Sequence, residues 1–457
     1  MRRPSVTFIN RVYAPGRGAT GRVLRDLARS FAKQGWQVSV ITTGPKAGIE
    51  HDGGVRVIRL KGPAKPRNAL SYGWVWLKLF VAALRQRAPD LLVTQSDPPL
   101  LAVLGHWVSR IKKSRHIHWC HDIYPDLFPV LGFKFPAFVR ARMDAMSKAA
   151  LEKADKVIVI GRCMANALTD SGLDAKSITI IPNWPDLALC KTAAQEATAD
   201  AAARGLPPEK RWYSGAKPFE EQIKDQPKFR VLYAGNIGLA HPVDTILDAA
   251  EILNTENPEI EFVFVGDGPR FDTLARERTQ RGLTNIRLMP YQPQKHLRSV
   301  MESGDLHLVS LKEEAAGLAV PSKIYAAFAA QRPCLFVGPH DCEAADVIRD
   351  FKAGAVVSQN DAQALAAQIK HYRYSGDDWF AAQKGAAEAG AVFTPAQAIS
   401  AWIDRAWAVI KPDAKAHDFG RPKRRTRRGK AKAETQGATK LQESAPAQNY
   451  EREKEVA

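Results

Sequence analysis

Glycine-rich segments that stand between an apolar run and a helical stretch are the clearest candidates for ligand binding in this sequence. The strongest signal is Gly317-Leu318-Ala-Val-Pro-Ser322-Lys323, where Ser322 is predicted to cap the start of a helix. The free amides of that helix start, together with the Lys323 ammonium, would hold a diphosphate. A capped helix with a solvent-facing lysine is the alternative interpretation.

A second glycine-rich loop occupies residues 15–21 and opens directly onto a helix. Its glycines, with Gly18 at the centre, match the spacing of a dinucleotide fingerprint. The next predicted strand ends in two threonines and lacks the acidic residue that would hold an adenosine ribose, so a plain strand-to-helix turn stays open.

Two further glycine segments lie in the second half of the chain, at residues 233–241 and 265–269. Each places glycines at the carboxyl end of a predicted strand, where doubly wound folds bind ligands. Strand-end turns without a ligand are the alternative. The candidate phosphate-binding residues here are Gly235, Asn236, Gly238, Gly266 and Gly268.

A histidine pattern supplies the candidate catalytic groups. Residues 119–126 read Trp-Cys-His-Asp-Ile-Tyr-Pro-Asp at the end of a predicted strand. His121 could hydrogen-bond a sugar hydroxyl or an acceptor there, with Asp122 or Asp126 orienting it or a loop amide. A structural histidine is the alternative, but the neighbouring Asp favours a functional role.

Other catalytic patterns are missing from the sequence, which has no nucleophile elbow, no His-Glu metal motif and no Asp-x-Asp after an apolar strand. A metal-free reaction without a bound cofactor is therefore expected. The five cysteines form no C-x-x-C pair, which favours a reducing compartment over a disulfide framework or a zinc site.

Alternating strand and helix signals predict an α/β protein with two doubly wound, Rossmann-like domains that face each other across a cleft. Strands are expected at residues 6–10, 38–42, 55–60, 91–95, 117–120, 157–160 and 178–181 of the first half. A second series begins at residues 230–233 and continues at 261–265, 286–289, 306–310 and 334–337.

The predicted domains are bounded by composition. Residues 1–187 form an N-terminal domain, 188–228 a linker with an insertion, 229–394 a C-terminal domain and 395–410 a terminal helix. Apolar residues nearly disappear from the basic tail at 411–457, which is expected to be disordered.

The positive charge is unevenly distributed. Of the net charge of +18, residues 1–180 carry 29 Lys and Arg against 12 Asp and Glu, whereas residues 181–410 carry 24 against 29. An anionic partner for the first domain is the natural inference. Residues 74–84, 110–115 and 133–142 are predicted to form a peripheral membrane surface, although an ordinary buried helix with a solvated cationic face stays open.

The order of these motifs resembles the family 4 glycosyltransferases of the GT-B fold, over nearly all of residues 5–410. The branch it looks closest to builds bacterial surface polysaccharides and lipid-linked glycans. The matching segments are residues 15–21, Ser96-Asp97-Pro98-Pro99-Leu100, His121-Asp122-Ile-Tyr-Pro125, Ile181-Pro182-Asn183-Trp184, residues 233–238, Gly266-Asp-Gly-Pro269, residues 285–291, Pro321-Ser322-Lys323 and Arg332-Pro333.

The resemblance implies a retaining transfer from a UDP- or GDP-linked sugar to a lipid-linked or glycan acceptor. The nucleotide and diphosphate would be surrounded by Gly235, Asn236, Gly238, Gly266, Gly268, Tyr291, Gly317, Leu318, Ser322 and Lys323. Gly18 and His121 would approach the reacting sugar from the first domain.

This sequence also departs from the family pattern. Leu318 and Ala326 stand where many members carry Glu, and Asn236 and His241 stand where Arg and Lys often clamp the diphosphate. Lys323 and backbone amides would therefore carry more of the diphosphate binding.

Alternatives of other classes remain. An epimerase or a phosphorylase could use the same fold, and the basic tail could make the chain a non-catalytic binder of an anionic polymer by salt-sensitive contacts, without specific nucleic-acid recognition. The favoured location is the cytoplasm, at the inner face of the cytoplasmic membrane.

Overall fold

Two separate β-sheets, both mainly parallel, organise the chain. The computed structural model describes residues 2–15, 18–63, 68–190 and 228–411. The first sheet has eight strands and the second has six. Helices cover both sheets, which gives two Rossmann-like α/β domains and confirms the predicted fold class.

The N-terminal sheet contains β1 (Ser5–Ile9), β2 (Gln37–Gly44), β3 (Gly48–Asp52), β4 (Val55–Lys61), β5 (Leu91–Thr94), β6 (Arg115–Cys120), β7 (Lys156–Val159) and β8 (Ile178–Ile180). Their order is β3-β4-β2-β1-β5-β6-β7-β8, and only β3 with β4 is antiparallel within this sheet. The helices are α1 (Ala19–Lys33), α2 (Ala69–Arg85), α3 (Leu101–Lys112), α4 (Leu127–Val130), α5 (Ala137–Glu152) and α6 (Arg162–Asp170).

Side chains of the central strands alternate between two apolar layers. Phe8 of β1 and Val93 of β5 belong to the layer that includes α1. Ile9 and Leu92, one position away, belong to the layer that includes α2 and α3. Because successive strand residues point to opposite faces, this alternation decides which side chains at the strand ends lie together.

The C-terminal sheet contains β9 (Phe229–Asn236), β10 (Ile260–Asp267), β11 (Ile286–Met289), β12 (Leu306–Ser310), β13 (Cys334–Val337) and β14 (Gly354–Val357), in the order β11-β10-β9-β12-β13-β14. All of its pairs are parallel. The helices are α7 (Asp244–Glu256), α8 (Phe271–Gln280), α9 (Leu297–Glu302), α10 (Lys323–Ala329), α11 (Glu343–Asp350), α12 (Ala362–Tyr374) and α13 (Gly376–Val392).

The predicted strands are all present, and three of them in the second domain have the expected bounds. The prediction missed β3, a polar strand with mostly exposed residues, and β14 with the helices around it. The strand β3 lacks the alternation of apolar and polar residues that signals a half-buried strand. The predicted insertion and basic tail fall mainly at residues 191–227 and 412–457, outside the described residues.

The last described helix, α14 (Pro395–Ile410), follows the second sheet in sequence but packs on the first domain. Trp402 is fully buried, and its ring centroid lies 4.7 Å from that of Trp119 at the end of β6. Trp407 lies 4.7 Å from Trp36 in the same way. The N-terminal core is therefore completed by the far end of the chain. Of the helices in the described ranges, none is long and apolar enough to span a membrane.

Candidate active site

His121 directly follows β6, and its ring is almost fully enclosed. Nε2 lies 3.0 Å from the side-chain nitrogen of Gln95, and Nδ1 lies 3.4 Å from that of Asn183. The Trp119 ring packs against the imidazole with centroids 4.6 Å apart. Burial lowers the pKa of His121 to about 3, so the ring is neutral near pH 7 and can exchange hydrogen bonds without carrying charge.

Asp122 lies where the two domains meet. Its amide donates to Ser96 Oγ at 3.1 Å, and its backbone forms an antiparallel bridge with Ala319 of the second domain. Burial, and to a smaller degree the Asp97 carboxylate, raises the pKa of Asp122 to about 7. A cavity of about 10 Å³, roughly the room of one water molecule, lies beside the Asp122 side chain.

The ring of His121 is oriented by two carboxamides, and the expectation that Asp122 or Asp126 holds it is wrong. Asp122 lines the small cavity described above, and the residues that line this cavity do not include His121. Asp126 is exposed and lies 3.7 Å from Arg140. Asp122 therefore contributes a separate, partly buried carboxyl group near the histidine.

The loop after β1 is held by the β3–β4 hairpin. Tyr13 donates to Asp52 at 2.9 Å, and Arg25 of α1 pairs with the same carboxylate at 3.0 Å. Gly18 precedes α1 with a φ of 157°, and a Cβ there would lie 3.3 Å from the Val12 side chain. The loop thus brings Gly18 to the carboxyl end of β1. Two other residues of the predicted fingerprint, Gly16 and Arg17, lie outside the described residues.

The glycines of the second domain allow close backbone packing at the carboxyl ends of β9 and β10. Gly266 lies opposite Gly235 in the register of β10 and β9, and a Cβ on Gly266 would be 2.1 Å from the Gly235 oxygen. A Cβ on Gly268 would be 2.4 Å from the Ile237 oxygen. These two glycines are required for close backbone packing, which fixes residues 235–241 at the end of β9, the segment that we call the Gly235 loop.

Lys323 extends under that loop instead of facing solvent. Its Cε would be 3.4 Å from a Cβ on Gly235, and its Nζ lies 3.2 Å from His241 Nε2 and 5.2 Å from the Tyr233 ring centroid. Burial lowers the pKa of Lys323 to about 7 and that of His241 to about 3. The amine is therefore only partly protonated at neutral pH, and a bound anion would raise its pKa and favour the charged form.

Ser322 does not cap α10 with its side chain, so that part of the prediction is wrong. Its φ of −63° and ψ of −7° are already helical, and no side-chain cap hydrogen bond forms at this position. A capping side chain needs a non-helical backbone to reach the amides of the first turn. Pro321 and Ser322 still lead directly into Lys323.

Gly317 and Leu318 lie between the domains. Gly317 has a φ of 70°, and a Cβ on it would lie 3.3 Å from the Ala167 side chain in α6. The Leu318 carbonyl accepts a hydrogen bond from the Ile123 amide at 2.9 Å. The predicted diphosphate segment is therefore joined to the segment that contains His121, with only Asp122 between that histidine and Ile123.

An ion pair also joins the domains. The side chain of Glu343, at the start of α11, accepts from the Arg162 amide at 2.5 Å and from Arg162 Nε at 3.2 Å. Arg162 Nη1 also reaches Asp350 at 2.9 Å. Glu343 is only 4% exposed, whereas Arg162 is 42% exposed. This contact fixes the first turn of α6 against the second domain.

Tyr291 follows β11 in the second domain and is partly buried. It lies close enough to Tyr233 to contribute to the raised pKa of that phenol, for which burial is the main cause. Tyr291 thus belongs to the same side of the second domain as the Gly235 loop.

Two contacts of this site were not singled out from the sequence. Gln95 was predicted only as a strand end, and the pair Arg162–Glu343 was not considered. A polar residue at the end of an apolar strand run is the signal that could have found Gln95. A partner distant in sequence leaves no such local pattern.

Comparison with known proteins identifies the class. Residues 18–184 match the family described as Glycosyl transferase 4-like domain, and residues 216–373 match the family described as Glycosyl transferases group 1. The two matches identify the chain as one of the glycosyltransferases, with a Glycosyl transferase 4-like domain followed by a Glycosyl transferases group 1 domain. It has their GT-B arrangement of two Rossmann-like domains.

Individual relatives agree with this assignment. The chain is 26% identical over 382 residues to the putative colanic acid biosynthesis glycosyl transferase WcaI of Escherichia coli (strain K12), which covers 78% of this chain and 89% of WcaI. Among solved structures, sucrose-phosphate synthase from Thermosynechococcus elongatus superimposes with a TM-score of 0.66 at 19% identity, covering 90% of this chain and all of that one. Anabaena HepE in complex with UDP-glucose has a TM-score of 0.64 at 15% identity, covering 88% and 99%.

Proposed function

We propose that this glycosyltransferase is a retaining, metal-independent enzyme that transfers a sugar from a nucleotide diphosphate-sugar to a lipid-linked or glycan acceptor. The observation that carries the proposal is the hydrogen bond from Ile123 to Leu318. This bond joins the segment of the first domain that contains His121 to the segment of the second domain that leads to Lys323. Groups suited to an acceptor and groups suited to a leaving diphosphate therefore meet at one junction.

The proposed donor site is the Gly235 loop with Lys323 beneath it. When a diphosphate binds, the Lys323 ammonium would pair with it, and the amides of the fixed loop would contact its oxygens. The complex of HepE with UDP-glucose supports a UDP-linked sugar as the first donor to test. GDP-linked sugars are the second.

The proposed reaction needs no protein nucleophile. The bond between the anomeric carbon and the diphosphate oxygen breaks as the acceptor oxygen bonds to the same face of that carbon. The acceptor proton passes to the departing diphosphate oxygen. Catalysis comes from stabilising the leaving diphosphate and from positioning the acceptor hydroxyl.

The place of this reaction is proposed to be cell-envelope glycan synthesis. The similarity to WcaI, described as a colanic acid biosynthesis glycosyl transferase, supports a surface-polysaccharide acceptor. Neutral His121 would orient the carboxamides of Gln95 and Asn183, which face its two nitrogens, toward a sugar hydroxyl. A ring with a pKa of about 3 cannot act as a cation near pH 7.

A donor screen tests the proposal. The full chain is incubated with UDP-glucose, UDP-galactose, UDP-N-acetylglucosamine, GDP-mannose or GDP-fucose and polyprenyl-diphosphate-linked sugars, with and without EDTA. Release of nucleoside diphosphate, unaffected by EDTA, and a product whose anomeric configuration by NMR equals that of the donor are expected. The variant His121→Gln should lose turnover, whereas His307→Gln, at a buried histidine bonded to the Met301 carbonyl, is the matched control. Absence of binding to every nucleotide sugar would overturn the proposal.

The membrane surface is proposed on the adjoining helices α2, α3 and α5. Trp74 is 58% exposed and Phe138 is 77% exposed, and Lys78 lies 5.4 Å from the Trp74 ring centroid. Further exposed apolar side chains on these helices are Leu70, Leu77, Trp107, Ile111 and Met146. Apolar side chains beside cations favour an anionic membrane interface.

Not every cation of this surface is available to lipid. Lys112 Nζ donates to the Gln86 carbonyl at 2.8 Å, and Arg115 pairs with Asp155 at 2.8 Å. Lys78 Nζ likewise donates to the Lys61 carbonyl at 2.9 Å. The remaining attraction would come from residues such as Arg110 and Lys113.

Vesicle flotation tests the surface. Phosphatidylcholine vesicles that contain phosphatidylglycerol should bind the protein more strongly than phosphatidylcholine alone, and Trp74→Ser should weaken this binding. Ile49→Ser is the matched control, because Ile49 is equally exposed, at 58%, on the edge strand β3. Equal binding to both vesicle types would contradict the charge argument.

A further inference from the structure

Three carboxamide side chains, Asn10, Gln95 and Asn183, occupy the strand-end region that contains His121. All three are buried. Gln95 and Asn183 contact the two nitrogens of the imidazole, at 3.0 and 3.4 Å. Asn10 follows β1, which is the neighbour of β5 in the sheet. The backbone N–H of Gln95 donates to the backbone carbonyl of Ile9, the last residue of β1, at 3.1 Å.

Asn10, Gln95 and His121 also lie on the same face of the sheet. The strands that they follow, β1, β5 and β6, are adjacent in the sheet order. Residues two positions apart along a strand share a face. The residues two positions earlier, Phe8, Val93 and Trp119, all belong to the apolar layer that includes α1. The carboxamides and the imidazole therefore line one stretch of the carboxyl edge.

Each carboxamide leaves one polar atom unused. Within the described ranges, Asn10 Oδ1, Gln95 Oε1 and Asn183 Oδ1 are buried and have no hydrogen-bond partner. A neutral imidazole has one donor and one acceptor, so one of the two carboxamides that face it, Gln95 or Asn183, must present its oxygen and the other its nitrogen. Turning one amide over exchanges the unused oxygen for an unused nitrogen, but the number of unused atoms stays the same. A buried polar atom without a partner is costly, which points to a ligand that completes the set.

The chemistry of these groups favours an uncharged ligand. Carboxamides exchange single hydrogen bonds with hydroxyl groups, and neither they nor the neutral imidazole that they contact offers charge to a carboxylate or a phosphate. The nearby cation Arg11 is already bound to both oxygens of Asp97, at 2.7 and 2.8 Å. Asp122, the neighbour of His121, would repel an anion when it is ionised.

We propose that Asn10, Gln95 and Asn183 form, with His121, a subsite that binds the hydroxyl groups of an uncharged sugar ring and discriminates against a hexuronate. This inference rests on the proposed glycosyl transfer and adds the class of sugar to it. The ring could belong to the donor or to the acceptor. Both sources present the same hydroxyl chemistry, and the experiment separates them.

The test uses Gln95→Met and Asn183→Leu, which remove an amide and keep most of the volume. They are made separately, so that one folded variant suffices. The matched control is Asn285→Leu, because Asn285 is also buried with an unpartnered Oδ1 and lies next to β11 in the second domain. Calorimetry measures the affinity for UDP, UDP-glucose and UDP-glucuronate, and for GDP, GDP-mannose and GDP-mannuronate.

If the donor occupies the subsite, the wild type should bind the neutral nucleotide sugar more tightly than the nucleotide and at least about tenfold more tightly than the uronate. Each variant should lose about three- to tenfold of affinity for the neutral nucleotide sugar, with affinity for the nucleotide unchanged. If the acceptor occupies it, donor affinity should stay constant and the KM for the polyprenyl-linked sugar should rise by a similar factor. Asn285→Leu should change neither quantity.

A purely structural role gives a different result. Replacing an amide whose oxygen has no partner by an apolar residue should leave the melting temperature close to that of the wild type. A lower melting temperature with unchanged donor affinity and unchanged acceptor KM would overturn the subsite. Failure of the wild type to bind any nucleotide would instead overturn the proposed transfer itself, so the two failures are distinguishable.

Discussion

Lys323 Nζ lies 3.2 Å from His241 Nε2, directly beneath the loop that begins at Gly235. The Nδ1 atom of His241 faces the Ser310 carbonyl, so Nδ1 carries the proton and Nε2 accepts from Lys323. Burial lowers the pKa of both groups, to about 7 for the lysine and about 3 for the histidine. At pH 7 the lysine is therefore only partly protonated and the histidine is neutral, and a bound anion would favour the protonated lysine.

Proton uptake should accompany donor binding. The pKa of Lys323 is about 7 in the free protein, so at pH 8 the amine is mostly neutral, and a bound diphosphate should raise its pKa and protonate it. At pH 6 the amine is already protonated, and uptake should vanish. Calorimetry of UDP-glucose or GDP-mannose in buffers of different ionisation enthalpy measures the number of protons taken up.

The variant Lys323→Met keeps the apolar stem and removes the amine. It should abolish the uptake at pH 8 and weaken nucleotide-sugar binding. Persistence of the uptake in this variant would assign the proton to another group.

Stability should depend on Asp122 near neutrality. The folded-state pKa of about 7 lies above the ordinary value of 3.8, because burial and Asp97 disfavour the charge. The folded protein therefore binds the Asp122 proton more tightly than the unfolded chain does. The stabilising contribution of this proton to the free energy of unfolding is complete below pH 3.8 and is lost as pH rises through 7.

In the variant Asp122→Asn, the melting temperature should depend less on pH between pH 5 and pH 8 than it does in the wild type. Asp170→Asn, at an exposed carboxylate at the end of α6, is the control and should leave the profile unchanged. An identical profile for wild type and Asp122→Asn would contradict the raised pKa.

Loss of Glu343 should loosen the domain junction. Glu343→Gln removes the charge that faces half-exposed Arg162 and weakens the bond to its amide. The free energy of unfolding should fall by an amount between the ~1 kcal/mol of an exposed pair and the ~3–5 kcal/mol of a fully buried one. Urea denaturation measures it.

Asp350→Asn is the matched control for that measurement, because Asp350 bonds the same Arg162 from a side chain that is 44% exposed. It should cost less than about 1 kcal/mol. Equal losses for the two variants would show that burial of Glu343 does not strengthen the contact.

The last helix should stabilise the first domain. Trp402→Ala removes a fully buried indole from its contact with Trp119 and should cost about 3–5 kcal/mol of unfolding free energy. Trp74→Ala, at an exposed tryptophan, should change it by no more than about 0.5 kcal/mol. Since Trp119 also packs on His121, the Trp402 variant should reduce turnover in the donor assay as well. Full stability of Trp402→Ala would contradict the packing role of α14.

The sequence determined the periodic parts of this protein. Strands such as Ile286–Met289 and Leu306–Ser310 are short apolar runs between turn residues, and each was predicted at its observed bounds. The glycine loops were also predictable in position, because a φ such as the 120° of Gly235 is rarely open to other residues.

Only the tertiary structure decided what surrounds each candidate side chain. Gln95 and Asn183 meet at His121 because β5, β6 and the segment after β8 end at one edge of a sheet, and nothing local in the sequence links them. Lys323 was expected to add a cation to a diphosphate site, and only the packing under the Gly235 loop showed that its Nζ contacts His241. Sequence patterns encode which face of an element is buried, whereas contacts between distant elements, and the pKa values that burial produces, depend on how those faces are brought together.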